Sequence, residues 1–262
     1  MDAGMVVFCT KKRMKTVLIT GASSGIGRSC AKFFDDGKHR LILTARRQER
    51  LEELAEELSC ETIIRAFDIQ SFSQCETALN NLPEEWKEID ILINNAGLAA
   101  GLEPLHEANL SDWEQMIDTN IKGLLYITRL ISPGMVARKS GHIINVGSVA
   151  GKFAYPNGSV YSATKYAVNS LSTGMRIDLC KHNIRVSQVS PGLVETEFSE
   201  VRFKGDKERA KSVYEWLEPL RGDDIADAVY WMATRPAHVN INDIWIMPSA
   251  QATPAYTKKS MS

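Results

Sequence analysis

The sequence predicts a single α/β domain with a doubly wound sheet of about seven parallel strands and helices on both faces. Short β-branched and apolar runs alternate along the chain with stretches of helical period, as in repeated strand–helix–strand units. A glycine-rich turn follows the first of these runs, and no linker-like stretch interrupts the alternation. We therefore expect one domain over residues 16–262.

Composition excludes several classes of function. The 262 residues carry a formal net charge of -1, which argues against a nucleic-acid partner or a membrane surface. No apolar run approaches the roughly 20 residues that span a bilayer. The five cysteines are scattered without a Cys-x-x-Cys pair, which is typical of reduced thiols in the cytoplasm. The five histidines are also dispersed, so we expect no metal site.

Residues 1–15 stand apart from the predicted domain. Met5 to Thr10 is a short apolar run, and the basic residues Lys11 to Arg13 follow it, the reverse of the order in a secretory signal. Met14 directly precedes the first predicted strand. We expect this segment to be a mobile N-terminal extension.

The turn after the first strand favours binding of a dinucleotide. Its glycines are spaced Gly-x-x-x-Gly-x-Gly, which differs from the usual Gly-x-Gly-x-x-Gly, and glycines also serve any tight turn. Its place between a strand and a helix is the stronger indication, because a backbone without side chains can approach a pyrophosphate that the helix N-terminus stabilises. The predicted contacts in this turn are Gly21, Ser23, Ser24, Gly25, Ile26 and Gly27.

The end of the second strand favours NADP over NAD. NAD-binding domains typically place an acid here to hold the adenosine ribose, whereas this chain has Ala45, Arg46 and Arg47. Guanidinium groups bind a 2′-phosphate through paired hydrogen bonds. Arg47 also fits the charged face of the next helix, so we rank Arg46 ahead of it.

Two further strand ends supply candidate cofactor contacts. Asp68 and Ile69 follow the third strand, and because Ser71 is the better helix cap, Asp68 is left to accept from an adenine amine. After the fourth strand, adjacent asparagines suit a loop whose amides brace neighbouring backbone, contact the cofactor, or do both. The residues of that loop are Asn94, Asn95, Ala96 and Gly97.

Two polar residues in the second half of the chain carry weaker signals. Ser111 to Glu114 reads as a capping box that opens a long helix through Asn120, where asparagine is a poor helix former. Ser148 follows the fifth strand and precedes Tyr161 by thirteen residues, enough for a loop to bring its hydroxyl beside the phenol.

Tyr161 and Lys165 lie four residues apart, so their side chains share one face of a helix. A fixed ammonium favours the phenolate, and moving the pKa of a tyrosine from roughly 10 to near 7 takes about 4 kcal/mol. A buried site with a second positive charge, such as oxidised nicotinamide, could supply that energy. The pair is therefore a candidate general acid/base, although many such pairs in helices are structural.

Taken together, these features resemble the short-chain dehydrogenase/reductase family from Thr16 to Pro248. The resemblance rests on Thr20-Gly21-x-x-x-Gly25-Ile26-Gly27, Asn94-Asn95-Ala96-Gly97, Asn120, Ser148, Tyr161-x-x-x-Lys165 and Pro191-Gly192, in the family's order. It implies a Rossmann-type sheet and a catalytic set of Asn120, Ser148, Tyr161 and Lys165. It also implies cofactor contacts from Pro191, Gly192, Val194 and Thr196, and a homotetramer or dimer.

The family mechanism assigns a role to each catalytic residue. Ser148 and Tyr161 bind the reacting oxygen, and Tyr161 removes the hydroxyl proton as hydride passes to the nicotinamide. Lys165 lowers the pKa of the phenol and holds the nicotinamide ribose, while Asn120 positions a water in a proton relay.

A narrower resemblance, over residues 44–51, 192–199, 201–206 and 238–242, is to the NADP-dependent 3-hydroxy acid dehydrogenase branch. It implies oxidation of L-serine, L-allo-threonine and small 3-hydroxy acids such as 3-hydroxypropionate and 3-hydroxyisobutyrate, with reverse reduction of a semialdehyde. Two alternatives stay open: a carbonyl reductase of uncharged aldehydes or ketones, and a non-catalytic NADP(H) sensor.

A 3-hydroxy acid carries a carboxylate, which needs a cationic or strongly donating partner. A flexible substrate lid is expected over about residues 193–217, and its basic residues include Arg202 and Lys204. We expect Arg202 to bind the carboxylate, with Lys204 as the second choice; both could instead be solvated surface charges.

Overall fold

The computed structural model describes residues 13–256. Within them, seven strands form one parallel sheet, in the order β3-β2-β1-β4-β5-β6-β7. The strands are β1 (Lys15–Thr20), β2 (His39–Ala45), β3 (Thr62–Ala66), β4 (Ile91–Asn94), β5 (Gly141–Val146), β6 (Ile184–Pro191) and β7 (Ile244–Ile246). The predicted doubly wound, seven-stranded sheet in a single domain is confirmed.

Helices connect the strands throughout the described part of the chain. They are α1 (Gly25–Phe33), α2 (Gln48–Glu57), α3 (Phe72–Asn80), α4 (Leu110–Ile117), α5 (Leu124–Arg138), α6 (Ser159–Leu179), α7 (Phe198–Arg202), α8 (Lys207–Ser212) and α9 (Gly222–Ala233). Between residues 13 and 256, no helix has both the length and the apolar character needed to cross a bilayer.

The core lies on both faces of the sheet because successive strand residues point to opposite sides. On β1, Val17 and Ile19 pack in one cluster with α1, α2 and α9, whereas Leu18 packs in a second cluster with α3, α5 and α6. All three side chains are fully buried. The strands therefore read as continuous apolar runs, as expected for a parallel sheet covered on both faces.

The sheet reverses its winding direction between β1 and β4. From β1 the chain builds outward through β2 and β3, then returns to place β4 on the other side of β1 and continues through β5, β6 and β7. The connections on the two sides diverge at this point, which leaves a crevice outside the carboxyl ends of the strands.

Only the end of the N-terminal segment is described. Residues 1–12, where most of the expected mobile extension falls, lie outside the described residues. Arg13 Nη2 donates to both carboxylate oxygens of Asp90, at 2.8 and 3.0 Å, and β1 begins at Lys15. The described end of this segment therefore lies against the domain.

The expected helix through Asn120 is present, but its beginning differs from the prediction. The expected Ser111 cap is wrong: α4 begins at Leu110, and Asn109 caps it by accepting from the Ser111 amide at 2.9 Å. The Ser111 hydroxyl itself donates to Asn109 Oδ1 at 2.8 Å and is not free to cap. A π-helical segment, Asp118–Gly123, joins α4 to α5 without a break.

Close packing of α1 on the first strand end makes Gly27 a sensitive position. A Cβ at residue 27 would overlap the Gly21 carbonyl oxygen and lie 2.5 Å from Asn95 Nδ2. We expect Gly27→Ala to lower the free energy of unfolding by about 1–3 kcal/mol, measured by urea denaturation.

The matched control is Gly174→Ala in α6, where an added Cβ meets no atom within 4 Å. Alanine favours the helix there, so we expect a gain of about 0.5–1 kcal/mol. An unchanged stability of Gly27→Ala would contradict the packing argument.

Candidate active site

A cleft of about 650 Å³ opens at the carboxyl ends of the strands, at the reversal between β1 and β4. Its volume is in the range of small-molecule and cofactor sites. The site residues predicted from the sequence line this cleft, except Gly27, Asn94, Asn120 and the second-choice Lys204. Gly27 and Asn120 are buried directly behind it, against Gly21 and Leu98, which do line it.

The glycine turn is hydrogen-bonded to Asn95, the residue that follows β4. Asn95 Nδ2 donates to the carbonyl oxygens of Thr20 and Gly21, at 2.9 and 3.1 Å. Gly25 has a φ of +52°, in the left-handed region that favours glycine, and Thr196 packs 3.2 Å from where its Cβ would be. The turn therefore presents backbone, rather than side chains, to the cleft.

The two adjacent asparagines do different things. Asn94 points into the protein, where its Nδ2 donates to Thr128 Oγ1 at 3.0 Å and to Asn145 Oδ1 at 2.9 Å. Asn95 braces the glycine turn and also lines the cleft. Bracing and cofactor contact are thus compatible at Asn95, whereas Asn94 is structural.

Arg46 and Arg47 differ in how the protein uses them. Arg47 donates to Ser23 Oγ and Ser24 Oγ, at 3.2 Å each, and pairs with Glu197 at 3.2 Å. Arg46 lines the cleft and makes no hydrogen bond or ion pair with any residue between 13 and 256. The ranking of Arg46 ahead of Arg47 as a phosphate ligand is consistent with this difference.

The carboxylate of Asp68 uses only part of its hydrogen-bonding capacity within the protein. Its Oδ1 accepts from the Gln70 amide at 3.0 Å, as in an Asx turn, and the residue lines the cleft. The prediction that Ser71 caps the next helix is confirmed, because its Oγ accepts from the Gln74 amide at 3.4 Å.

Tyr161, Lys165 and Ser148 meet at one end of the cleft. Tyr161 and Lys165 are 9% and 6% exposed, and Lys165 Nζ lies 6.0 Å from the centroid of the Tyr161 ring. Lys165 Nζ donates to the Val146 carbonyl at 3.1 Å. Ser148 Oγ accepts from the Ala150 amide at 3.1 Å, which caps a short turn and holds the hydroxyl beside the Tyr161 phenol.

Protein groups alone raise the pKa of Tyr161 above its ordinary value, mainly because burial disfavours the phenolate. A hydrogen bond from Ser148 and the positive charge of Arg202 act in the opposite direction. Burial also lowers the pKa of Lys165 to about 8. The expected lowering of the phenol pKa by Lys165 is therefore not seen, since loss of solvation outweighs the nearby charges.

Asn120 lies in the π-helical segment and holds the β4 loop in place. Its Oδ1 accepts from the Leu98 amide at 2.9 Å, and its Nδ2 donates to the Leu98 carbonyl at 2.8 Å and to Thr164 Oγ1 at 3.0 Å. Both amide hydrogens are thus used within the protein. The side chain ties the loop after β4 to α6, the helix that carries Tyr161.

Arg202 faces the same end of the cleft. Its Cζ lies 5.8 Å from the Tyr161 ring centroid and 5.5 Å from that of Tyr155. Its Nε donates to the Gly101 carbonyl at 3.0 Å, while no described residue accepts from its two Nη atoms. By contrast, the second choice, Lys204, pairs with the buried carboxylate of Asp112 at 3.0 Å and does not line the cleft.

Among the cleft residues that sequence reasoning missed, three contact the predicted site residues. Tyr155 lines the cleft beneath Arg202, and Phe198 packs edge-on against Tyr161 with ring centroids 5.7 Å apart. Glu197 lines the cleft beside Arg47. Helical and strand periodicity does not identify residues in loops or in a helix as short as α7. The only available signal was position in the sequence: Tyr155 lies close to Tyr161, and Phe198 lies close to Arg202.

The buried charge of Lys165 predicts a specific dependence of stability on pH. Below pH 8 the lysine is protonated in both states, and folding bears the full cost of burying the charge. Between about pH 8 and 10.5 the folded chain loses this proton first, so stability rises with pH. Lys165→Met should raise the free energy of unfolding at pH 7 by about 1–3 kcal/mol and show a smaller gain at pH 9.5.

Urea denaturation at the two pH values measures this difference. Lys122→Met is the control, because Lys122 is exposed and pairs with Asp118 at 2.7 Å. It should give no such gain. A gain for Lys165→Met that is the same at both pH values would mean that packing, and not charge burial, is responsible.

The chain is similar to known proteins along most of its length. The family model described as short chain dehydrogenase matches residues 15–207. The NADP-dependent 3-hydroxy acid dehydrogenase YdfG of Salmonella typhi is 50% identical over 237 residues, covering 90% of this chain and 96% of that protein. Sulfoacetaldehyde reductase 2 of Chromohalobacter salexigens is 43% identical over 243 residues, covering 92% and 96%.

Solved structures give the same result. A closed form of serine dehydrogenase complexed with NADP⁺ has a TM-score of 0.89 at 48% identity, covering 92% of this chain and 98% of that one. Serine dehydrogenase from Escherichia coli has a TM-score of 0.80 at 45% identity, covering 90% and 99%. The predicted resemblance is confirmed, and the chain belongs to the short-chain dehydrogenase family.

Proposed function

We propose that this protein is an NADP-dependent oxidoreductase that transfers hydride between NADP and the 3-hydroxyl carbon of a small hydroxy acid. Suitable substrates are L-serine, L-allo-threonine, 3-hydroxypropionate and 3-hydroxyisobutyrate, and the reverse reaction reduces the semialdehyde. The observation that carries the proposal is Arg202, whose guanidinium lies 5.8 Å from the Tyr161 ring with both Nη atoms unbonded to described residues. The similarity to a 3-hydroxy acid dehydrogenase and to serine dehydrogenases supports it.

The features of the cleft fit NADP. Gly21 and Gly25 line the cleft without side chains where a pyrophosphate would lie, and Gly27 lets α1 pack closely against the turn. Arg46 and Arg47 at the end of β2 supply guanidinium groups for a 2′-phosphate. Bound NADP would accept the hydride. The remaining proposed cofactor contacts are Ser23, Ser24, Gly25, Ile26, Asp68, Ile69, Asn95, Ala96, Gly97, Pro191, Gly192, Val194 and Thr196.

The proposed catalytic residues of the chain bind the substrate oxygen and transfer its proton. We infer that Ser148 and Tyr161 bind the substrate oxygen and that Tyr161 takes its proton in the oxidative direction. Because burial holds the pKa of Tyr161 high, the phenol needs added positive charge to act as a base at neutral pH. Oxidised nicotinamide would bring such a charge, and Lys165, with a pKa of about 8, would supply hydrogen-bond donors for the ribose. Asn120 orders the loop and helix around them and takes part in the proton relay.

A second candidate is a carbonyl reductase of uncharged aldehydes or ketones. The specific observation that favours it is that apolar side chains line the cleft, among them Leu98, Leu102, Val201 and Phe203. A substrate without a carboxylate could pack against such side chains and leave Arg202 unused. Residues 193–217, which contain α7 and α8, are proposed to act as a substrate lid in either case.

We also propose that the protein is cytoplasmic and forms a homotetramer, with a dimer as the smaller alternative. Phe153 and Trp245 support an interface, because they stack 5.9 Å apart while remaining 44% and 50% exposed. Contiguous exposed apolar side chains of this kind mark contact surfaces. The four described cysteines are free, as expected in a reducing compartment. Sedimentation velocity would distinguish the assemblies from a monomer.

Initial rates of NADP reduction with L-serine, L-allo-threonine and 3-hydroxypropionate test the main proposal, with NAD as the cofactor control. Tyr161→Phe removes the hydroxyl that takes the proton and keeps the ring. We expect kcat to fall about 10²–10⁴-fold, with little change in NADPH affinity measured by fluorescence. Turnover that survives in the variant would contradict the role of Tyr161. If the parent protein binds NADPH tightly but oxidises none of these substrates, carbonyl reduction becomes the favoured function. If it also reduces no aldehyde or ketone, the NADP(H) sensor becomes the favoured function.

Arg202→Ala tests recognition of the carboxylate. We expect KM for 3-hydroxypropionate to rise about 10- to 100-fold, because a charged hydrogen-bond partner is lost. KM for the neutral analogue 1,3-propanediol should change little. Arg209→Ala is the matched control, since Arg209 also lies over the Phe203 ring, at 4.4 Å, but does not line the cleft. Equal effects of Arg202→Ala on both substrates would exclude a carboxylate-binding role.

A further inference from the structure

The short helix α7 lies between the two functional ends of the cleft. It comprises only Phe198–Arg202, about 7.5 Å at 1.5 Å per residue. Glu197 immediately precedes it, and Arg202 is its last residue. Because five helical residues join them, whatever holds Glu197 in place also restrains the position of Arg202.

Glu197 is held by the arginines that follow β2. Its carboxylate oxygens accept from Arg50 Nη1 at 2.6 and 2.8 Å, and Oε2 accepts from Arg47 Nη1 at 3.2 Å. Arg47 Nη2 in turn donates to Ser23 Oγ and Ser24 Oγ in the glycine turn. The beginning of α7 is thus joined to the residues that we assign to the phosphates of NADP.

The other end of α7 lies over the reacting group. The Phe198 ring packs edge-on against Tyr161, and Arg202 Cζ lies 5.8 Å from the same ring. The Arg202 backbone carbonyl accepts from the Gly101 amide at 3.0 Å, and Arg202 Nε donates back to the Gly101 carbonyl at 3.0 Å. These contacts place the guanidinium beside Tyr161 only while α7 keeps its position.

The side chains around Glu197 carry more positive than negative charge, so one more anion would be stabilised there. Two guanidinium groups, Arg47 and Arg50, share one carboxylate, and Arg46 stands beside them without a partner among residues 13–256. A 2′-phosphate would add the missing negative charge next to Arg47. Phosphate, Arg47, Glu197 and Arg50 would then alternate in sign, which stabilises each ion pair in the series.

We propose that Glu197 is a positioning residue that couples the 2′-phosphate site to Arg202. Through α7, the cofactor phosphate and the Arg47–Glu197–Arg50 ion pairs hold the guanidinium where a substrate carboxylate binds. The inference rests on the proposed function, since it requires that Arg202 bind a carboxylate. It makes substrate affinity depend on a cofactor group that takes no part in hydride transfer.

Glu197→Gln removes the charge and keeps the shape of the side chain. With NADP, we expect KM for 3-hydroxypropionate to rise about 3- to 5-fold, the size of an exposed ion-pair effect, while kcat and KM for 1,3-propanediol stay near those of the parent. Glu200→Gln is the matched control, because it removes one negative charge from α7 at a side chain that does not line the cleft. Glu197→Asp, which keeps the charge, should recover part of the affinity.

A double-mutant cycle separates positioning from a purely structural effect. In an Arg202→Ala background, Glu197→Gln should raise KM for 3-hydroxypropionate no further, because the group that it positions is gone. An additional rise in that background would overturn the proposal. So would a KM for Glu197→Gln equal to that of Glu200→Gln, or a loss of stability with no change in KM.

The cofactor provides an independent test. In the parent saturated with NADPH, which cannot oxidise the substrate, the Kd of 3-hydroxypropionate measured by cofactor fluorescence should be lower than with NADH, and Glu197→Gln should remove this difference. Equal Kd values with the two cofactors in the parent would contradict the coupling. Failure of the proposed function can be distinguished from failure of the coupling. In that case the parent would show no preference for 3-hydroxypropionate over 1,3-propanediol, and Arg202→Ala would not change KM for 3-hydroxypropionate.

Discussion

The reversal of strand order between β1 and β4 is the constraint on which the site depends. Parallel strands need crossover connections, and these are right-handed in nearly all sheets. The two halves of this sheet must therefore send their connections to opposite faces, which leaves a crevice where they part. Every strand from β1 to β6 ends at this edge, and the turns that follow them line the 650 Å³ cleft.

The proposed acid/base pair, Tyr161 and Lys165, is buried in surroundings that oppose its ionisation. Burial raises the pKa of Tyr161 and lowers the pKa of Lys165, so that each is disfavoured in its charged form. The compensation available from the protein is limited to the Ser148 hydroxyl and the Arg202 charge. Such a site has a low local dielectric, in which any further positive charge acts strongly. Burial thus has two results. It disfavours the charged forms of Tyr161 and Lys165 in the protein alone, and it would make the pKa of Tyr161 respond strongly to the positive charge of an oxidised nicotinamide ring.

Several details were predictable because their signals are local. The apolar runs gave strands at the expected places, and the spacing of Tyr161 and Lys165 placed both side chains on one face of α6. The cap by Ser71 also followed from its position. The cap of α4 did not, because Asn109 and Ser111 are both good caps and only the backbone geometry chooses between them. Sequence alone ranked Lys204 second to Arg202 as a carboxylate ligand, but it could not show that Lys204 pairs with Asp112, which lies more than ninety residues earlier.

By itself the sequence determined the sheet and the family, and it supplied the residues of the proposed catalytic set, since periodicity, turn chemistry and residue spacing are properties of short segments. Only the tertiary structure decided which charges meet. Glu197 pairs with Arg47 across 150 residues of chain, and Arg202 bonds to Gly101 across 101. The solvation of Tyr161 was likewise decided by packing. Contacts and burial of this kind depend on how all elements pack at once, and no local pattern encodes them.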